Sequence, residues 1–136
     1  HEPPDVEPPP LAGRLERRGA EVWDGAHNPA GAAWLVERLR GEPPYVVVAS
    51  ILRDKDADAI LHELAPVGDV LVATESGNPR ALGADELARA AGRHFRSVEV
   101  VSDPEEALAR ARSRSPRVLV TGSLYLLARL CDRSHQ

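Results

Sequence analysis

Short apolar runs recur along this chain, each followed by an amphipathic stretch of about ten residues, and that alternation leaves few folds open. Tyr45-Val46-Val47-Val48-Ala49 is wholly apolar, the pattern of a strand covered on both faces. Strands are expected at Asp69 to Thr74, Val98 to Val101 and Arg117 to Thr121, with a leading strand at Leu15 to Arg18 that turns at Gly19 into Ala20 to Asp24. Helices fill the intervals. Ala30 to Arg40 places Ala33, Leu35, Val36 and Leu39 on an apolar side and stops at Gly41. Asp58 to Leu64 turns Ile60, Leu61 and Leu64 inward, and Ala84 to Gly92 is entered through Asp85 and Glu86, favourable charges for a helix start. Asp103 caps a helix reaching about Arg114, with Pro104 at its first position. A last helix runs to about Cys131. Strands alternating with helices make βαβ units, so the expected fold is α/β: a Rossmann-like, mostly parallel sheet with helices on both faces.

The 136 residues set a prior of one domain. A globule of this size buries roughly 68% of its unfolded surface, enough for a core without staples. The first ten residues hold five of the twelve prolines, so residues 1–12 read as a linker, 13–131 as the domain and 132–136 as a frayed tail. The net charge of -4 argues against a nucleic-acid or polybasic membrane partner. No apolar run approaches the roughly 20 residues of a membrane-spanning helix, and no signal peptide opens the chain. Cys131 alone makes neither a disulfide nor a metal cluster, which points to a reducing, cytoplasmic setting. With no methionine and a start at His1, the chain reads as a processed chain or an excised domain.

Ligands of open parallel sheets sit beyond the carboxyl ends of the strands, and the loops there hold nearly all the chemically unusual residues. In Asp24-Gly25-Ala26-His27-Asn28-Pro29 a strand-end carboxylate suits ribose hydroxyls or a base, and Gly25 admits close backbone approach. The plainer alternative is that Asp24 and Asn28 cap a helix and His27 is a surface side chain. Of 17 basic residues only Lys55 is lysine; flanked by Asp54 and Asp56, it either holds a carboxylate or phosphate or belongs to a solvated charge cluster. Arg80, after Asn78-Pro79, either clamps a carboxylate or is simply solvated. Thr121-Gly122-Ser123 suits an anion, or Ser123 is a plain helix cap. His1, His62, His94 and His135 read as structural or exposed, and Cys131 as a small core-side residue. There is no G-x-x-x-x-G-K-[ST], no G-x-G-x-x-G and no nucleophile elbow. A parallel sheet would gather the four loops at one edge, suited to a nucleotide phosphate and an amino-acid carboxylate: part of a site rather than a whole one.

Gly13-Arg14-Leu15-Glu16, Asp24-Gly25-Ala26-His27-Asn28-Pro29, Asp54-Lys55-Asp56, Asn78-Pro79-Arg80-Ala81-Leu82 and Val120-Thr121-Gly122-Ser123-Leu124-Tyr125 follow one another in a familiar order. From Gly13 to Leu130 the chain resembles the C-terminal domain of the folylpolyglutamate synthases, often bifunctional with dihydrofolate synthase in bacteria, within the Mur ligase superfamily. The resemblance implies an ATP-dependent amide ligase. MgATP would phosphorylate a carboxylate of dihydropteroate or of a folate to an acyl phosphate, and the amine of L-glutamate would displace the phosphate. It implies further that a central P-loop domain of the same polypeptide carries the Mg ligands, and that this domain closes over the nucleotide. By position, Arg14 would contact ATP phosphates, Asp24 the ribose, and His27 the reacting groups. Lys55, Ser123 and Arg80 would bind the incoming amino acid, Lys55 through its carboxylate. Pro10-Leu11-Ala12 departs from the aromatic and proline more usual before the Gly-Arg pair. Without the P-loop domain the chain is expected to be inactive alone. The alternatives are the same domain from a Mur-type cell-wall ligase, a stand-alone module that binds a nucleotide or amino acid without catalysis, and a purely structural role.

Overall fold

The computed structural model describes residues 15–134. The linker expected over 1–12, Arg14, His1 and His135 lie outside the described residues.

Six strands form one sheet: β1 (Glu16–Arg18), β2 (Glu21–Asp24), β3 (Val46–Ala49), β4 (Val70–Ala73), β5 (Ser97–Val100) and β6 (Val118–Thr121). Its order is β1-β2-β6-β3-β4-β5; β1 pairs antiparallel with β2 and every other pairing is parallel. Five α-helices alternate with the strands: α1 (Pro29–Arg38), α2 (Ala57–Leu64), α3 (Ala84–Ala91), α4 (Pro104–Arg114) and α5 (Leu124–Ser134). The expected α/β fold is the observed one. A 3-10 turn at Ala65–Val67 was not expected, and α5 continues past Cys131.

The apolar strands divide their side chains between two cores, which is why they carry no polar alternation. Val22, Val47, Leu71 and Leu119 pack on Leu35, Leu39, Ile60, Leu61, Leu64 and Leu87 from α1, α2, α3 and the turn after α1. Trp23, Val48, Val72 and Val120 pack on Ala107, Leu108, Ala111, Leu126, Leu127 and Leu130 of α4 and α5. Cys131 packs at the margin of this second core, as expected, and accepts a contact from Arg18 Nη2 at 3.1 Å. Asp103 caps α4 by accepting from the Glu106 amide at 3.0 Å, again as expected. The apolar side of α1 is rotated from the expected one. Ala32, Leu35 and Leu39 face the core and Ala33 is exposed, because the spacing 32, 35, 39 follows the helical repeat more closely.

The return from β5 through α4 inserts β6 between β2 and β3. The helices that leave β3 and β6 therefore pack on opposite faces, and a crevice opens between them at the carboxyl ends of the strands.

At the opposite, amino ends, Glu42 gathers three partners. Arg17 Nη2 lies 2.7 Å from its Oε2, the Tyr45 hydroxyl donates to Oε1 at 2.5 Å, and Arg117 Nη2 lies 3.2 Å away. The hydrogen bond from Arg17, then that from Tyr45, lowers the Glu42 carboxyl from 4.5 to about 2. A depressed carboxyl stabilises the fold above its unfolded value and loses that contribution as pH falls through the folded one. Glu42→Gln should therefore cost about 1 kcal/mol at pH 7, because solvent screens the partly exposed pair. In urea titrations the difference between the two proteins should shrink as pH falls from 4.5 to about 2.

Candidate functional site

Pairing places Asp24, Thr121, Ala49, Ala73 and Val100 in one row across the sheet. The loops beyond that row share one rim.

Asp24 is fully buried. Its Oδ1 accepts the Leu15 amide at 3.0 Å and its Oδ2 the Ala26 amide at 3.1 Å, so one carboxylate ties the entry to β1 to the loop after β2. Leu15 has φ 51, a left-handed conformation that costs a leucine about 1 kcal/mol, and the Asp24 bond helps to hold it. The helix cap belongs to Asn28 alone, whose Oδ1 accepts the Gly31 amide at 2.7 Å. His27 Nδ1 lies 3.0 Å from the Gly25 carbonyl. In the neutral ring that bond puts the proton on Nδ1 and makes Nε2 the acceptor.

After β3, both aspartates that flank Lys55 are committed elsewhere. Asp56 caps α2 by accepting the Ala59 amide at 3.1 Å, and Asp54 Oδ2 lies 3.6 Å from Arg80 Nη1. Among the described residues no carboxylate lies within ion-pair distance of the Lys55 ammonium. The loop after β4 is fastened alongside: the Arg53 amide donates to the Arg80 carbonyl at 2.7 Å and the Leu82 amide to the Ile51 carbonyl at 2.9 Å. The Glu75 carboxylate caps α3 through the Ala84 amide at 2.8 Å. After β6, Gly122 adopts φ +103, and a Cβ there would stand 2.5 Å from the Ser50 carbonyl oxygen. Ser123 is buried and caps α5 by accepting the Tyr125 amide at 3.0 Å.

Two adjoining clefts result. One, of about 180 Å³, is lined by His27, Leu52, Lys55, Ser123, Leu124 and Tyr125. The other, of about 230 Å³, is lined by the Asp24–Asn28 loop with Gly31 and Trp34. His27 borders both. A hollow of about 300 Å³ at the amino ends of the strands, near Leu39, Tyr45 and Val67, is less suited to a ligand. Its charged Arg40 and Glu42 are already paired with Glu37 and with Arg17 and Arg117.

The fold thus gathers Asp24, His27, Lys55 and Ser123. Arg80 stays on the neighbouring loop, engaged with Asp54 and outside the cleft linings. Ser123 is both a cap and a cleft wall. The sequence reading missed the apolar walls Leu52, Leu124 and Tyr125 and the indole of Trp34; Tyr125, at 47% exposure, follows directly on Ser123. Among the described residues no group of three His, Cys, Asp or Glu side chains is placed to hold a metal, and no helix is long and apolar enough to cross a membrane.

The family described as "Mur ligase, glutamate ligase domain" matches residues 13–124. A dihydrofolate synthase/folylpolyglutamate synthase of Mycobacterium tuberculosis is 51% identical over 89 residues, covering 61% of this chain and 18% of the relative. The crystal structure of M. tuberculosis folylpolyglutamate synthase complexed with ADP and AMPPCP superposes with a TM-score of 0.82 at 38% identity, covering 92% of this chain and 32% of that one. The bifunctional enzyme from Yersinia pestis, complexed with AMPPNP and Mn ion, superposes at 0.78 with 28% identity, covering 93% and 32%. The chain spans a third or less of these relatives.

The tight turn after β6 is testable by itself. Gly122→Ala meets both an unfavourable φ and a backbone oxygen 2.5 Å away, and should destabilise the fold by more than about 2 kcal/mol. Gly41→Ala, at φ +83 with nothing within 4 Å, carries the strain alone and should cost about 1 kcal/mol in the same urea titration.

Proposed function

The chain belongs to the family of Mur ligase glutamate ligase domains, and from that premise we propose that it is the amino-acid-accepting domain of an ATP-dependent ligase that adds L-glutamate to a folate or to dihydropteroate. One observation carries the reading. Lys55, whose flanking aspartates are occupied, lines one cleft together with Ser123 and His27.

In this reading Lys55 neutralises a carboxylate of the incoming glutamate, and the Ser123 hydroxyl gives that carboxylate a directional hydrogen bond. Arg80 stands at the rim on the adjoining loop as a second carboxylate contact, once it exchanges Asp54 for the ligand. His27 borders both clefts, where the amine of one substrate would meet the activated carboxylate of the other, with Nε2 as the ring's acceptor. Asp24 would hold the ribose of ATP. Arg14, beyond the described residues, is assigned to the phosphates. Glutamate attack on an acyl phosphate forms the amide bond, breaks the C–O bond to phosphate and releases inorganic phosphate. The domain's part is charge neutralisation and positioning.

We assign the Mg ions that accompany ATP to a P-loop domain of the same polypeptide. We infer further that this chain alone is inactive and that the ligase works in the cytoplasm, where ATP is supplied.

In the full-length ligase, Lys55→Ala should raise the KM for glutamate about tenfold or more and leave the KM for ATP within about twofold, since a lost charged hydrogen bond costs roughly 1.5–3 kcal/mol. The isolated 136-residue chain should show no glutamate-dependent ATP hydrolysis. An unchanged glutamate KM in Lys55→Ala would remove the assignment.

A further inference from the structure

Lys55 sits in a short segment that owes its place to neighbours outside the cleft. From Arg53 to Asp58 the charged side chains are Arg53, Asp54, Lys55, Asp56 and Asp58. Asp54 lies 3.6 Å from Arg80, and Asp56 caps α2. Arg53 reaches across to the first turn of α3, its Nη2 donating to Glu86 Oε1 at 2.9 Å and its Nη1 to Oε2 at 3.3 Å. Two parallel bonds fix the direction of both side chains as one bond cannot. Past Lys55, Asp58 accepts from Arg93 Nε at 3.3 Å and lies 2.9 Å from His94 Nε2, on the residues that follow α3. Leu87 and Ala91 seat α3 itself in the first core. The backbone repeats the attachment: Leu52 bridges to Ala81, and the Lys55 amide donates to the Leu52 carbonyl at 3.1 Å. Lys55 is therefore held in a turn whose flanks are fastened to α3 and to the loop before it. Neither Arg53 nor Glu86 is among the residues that line the two clefts.

We propose that Arg53 and Glu86 are positioning residues for the amino-acid cleft: their pair holds the Lys55 turn against α3 and so sets the affinity for the incoming glutamate. This rests on the assignment of Lys55 to the glutamate carboxylate and adds to it two residues that never touch the ligand. The two side chains are 58% and 44% exposed, so their pair contributes little to folding. Its effect is local. A turn ordered before the ligand arrives need not be ordered by it, and affinity rises accordingly. The hydrogen bond from Arg53 also holds the Glu86 carboxyl below its ordinary value, so the pair stays ionised throughout the neutral range.

The test is steady-state kinetics of the full-length ligase, with glutamate and ATP varied separately. Arg53→Ala should raise the KM for glutamate about fivefold and leave kcat and the KM for ATP within about twofold, the pattern of lost binding without lost chemistry. Glu86→Gln should do the same, and the double variant should be no worse than either alone, because each substitution removes the same pair. The decisive comparison is made on Lys55→Ala. Adding Arg53→Ala there should change the glutamate KM by less than about 1.5-fold, because the lysine that the pair positions is gone. An effect of Arg53→Ala that persists in full without Lys55 means that Arg53 acts directly on the ligand or the fold, and the proposal falls. It falls equally if Arg53→Ala leaves the glutamate KM unmoved, or moves it together with the KM for ATP. If Lys55→Ala itself leaves the glutamate KM unchanged, the reading beneath the proposal fails, whatever Arg53 does.

Discussion

In-register parallel pairing is the constraint on which the rest of this molecule depends. Short strands, none longer than four residues, end on a single row that runs through Asp24, Thr121, Ala49, Ala73 and Val100. Loops from distant parts of the chain therefore start side by side, and residues nearly a hundred positions apart, His27 and Ser123, line one cleft. Insertion of β6 between β2 and β3 sends the flanking helices to opposite faces and keeps the rim open there. The closeness of the β3 and β6 ends has a cost in residue choice. The backbone at position 122 passes so near the Ser50 carbonyl that only glycine fits. The hydroxyls of Ser50 and Thr121 are buried beside it without a hydrogen-bond partner among the described residues.

The fold was legible because its strands are covered on both faces. A run such as Val46-Val47-Val48-Ala49 has no other low-energy place in a soluble chain than the middle of a two-sided sheet, and each neighbour repeated the signal. The reading weakened where the physical signal does. In Ala30 to Ala33 there are only glycine and alanine, which bury too little surface to mark a helical face, and the expected phase of α1 slipped by a residue. β5 lies at the sheet edge, its residues only partly covered, with Glu99 held by Arg110 and by Arg114; its start was accordingly placed one residue late.

The site shows the same division. Position at a strand end puts Asp24, Lys55 and Ser123 on one rim, as expected for a parallel sheet. Their surroundings could not be read, because they are made by contacts across the fold. Asp54-Lys55-Asp56 looks self-neutralised on paper. In the structure one aspartate is drawn off by the α2 amino end and the other by Arg80, twenty-six residues away in sequence, leaving a positive charge at the cleft. The same pairing holds Arg80 on its own loop, although its sequence context resembles that of Lys55. Trp34 escaped notice for a different reason. An aromatic residue on an amphipathic helix is usually core, and only its partial burial beside the Asp24–Asn28 loop distinguishes it.

The size of the two clefts bears on how such a domain works. Sites that enclose a small molecule run from roughly 300 Å³ upward, whereas these hold about 180 and 230 Å³ and are open to solvent. Tyr125 stands at the mouth with nearly half of its surface exposed, and Trp34 is only half-buried. A ligand confined to either cleft would keep much of its surface in water, and Lys55 would act through a high dielectric where one ion pair is worth little. A second wall changes that balance. Were a second surface to exclude water, a charge such as the Lys55 ammonium would act at low dielectric on a group held between the two.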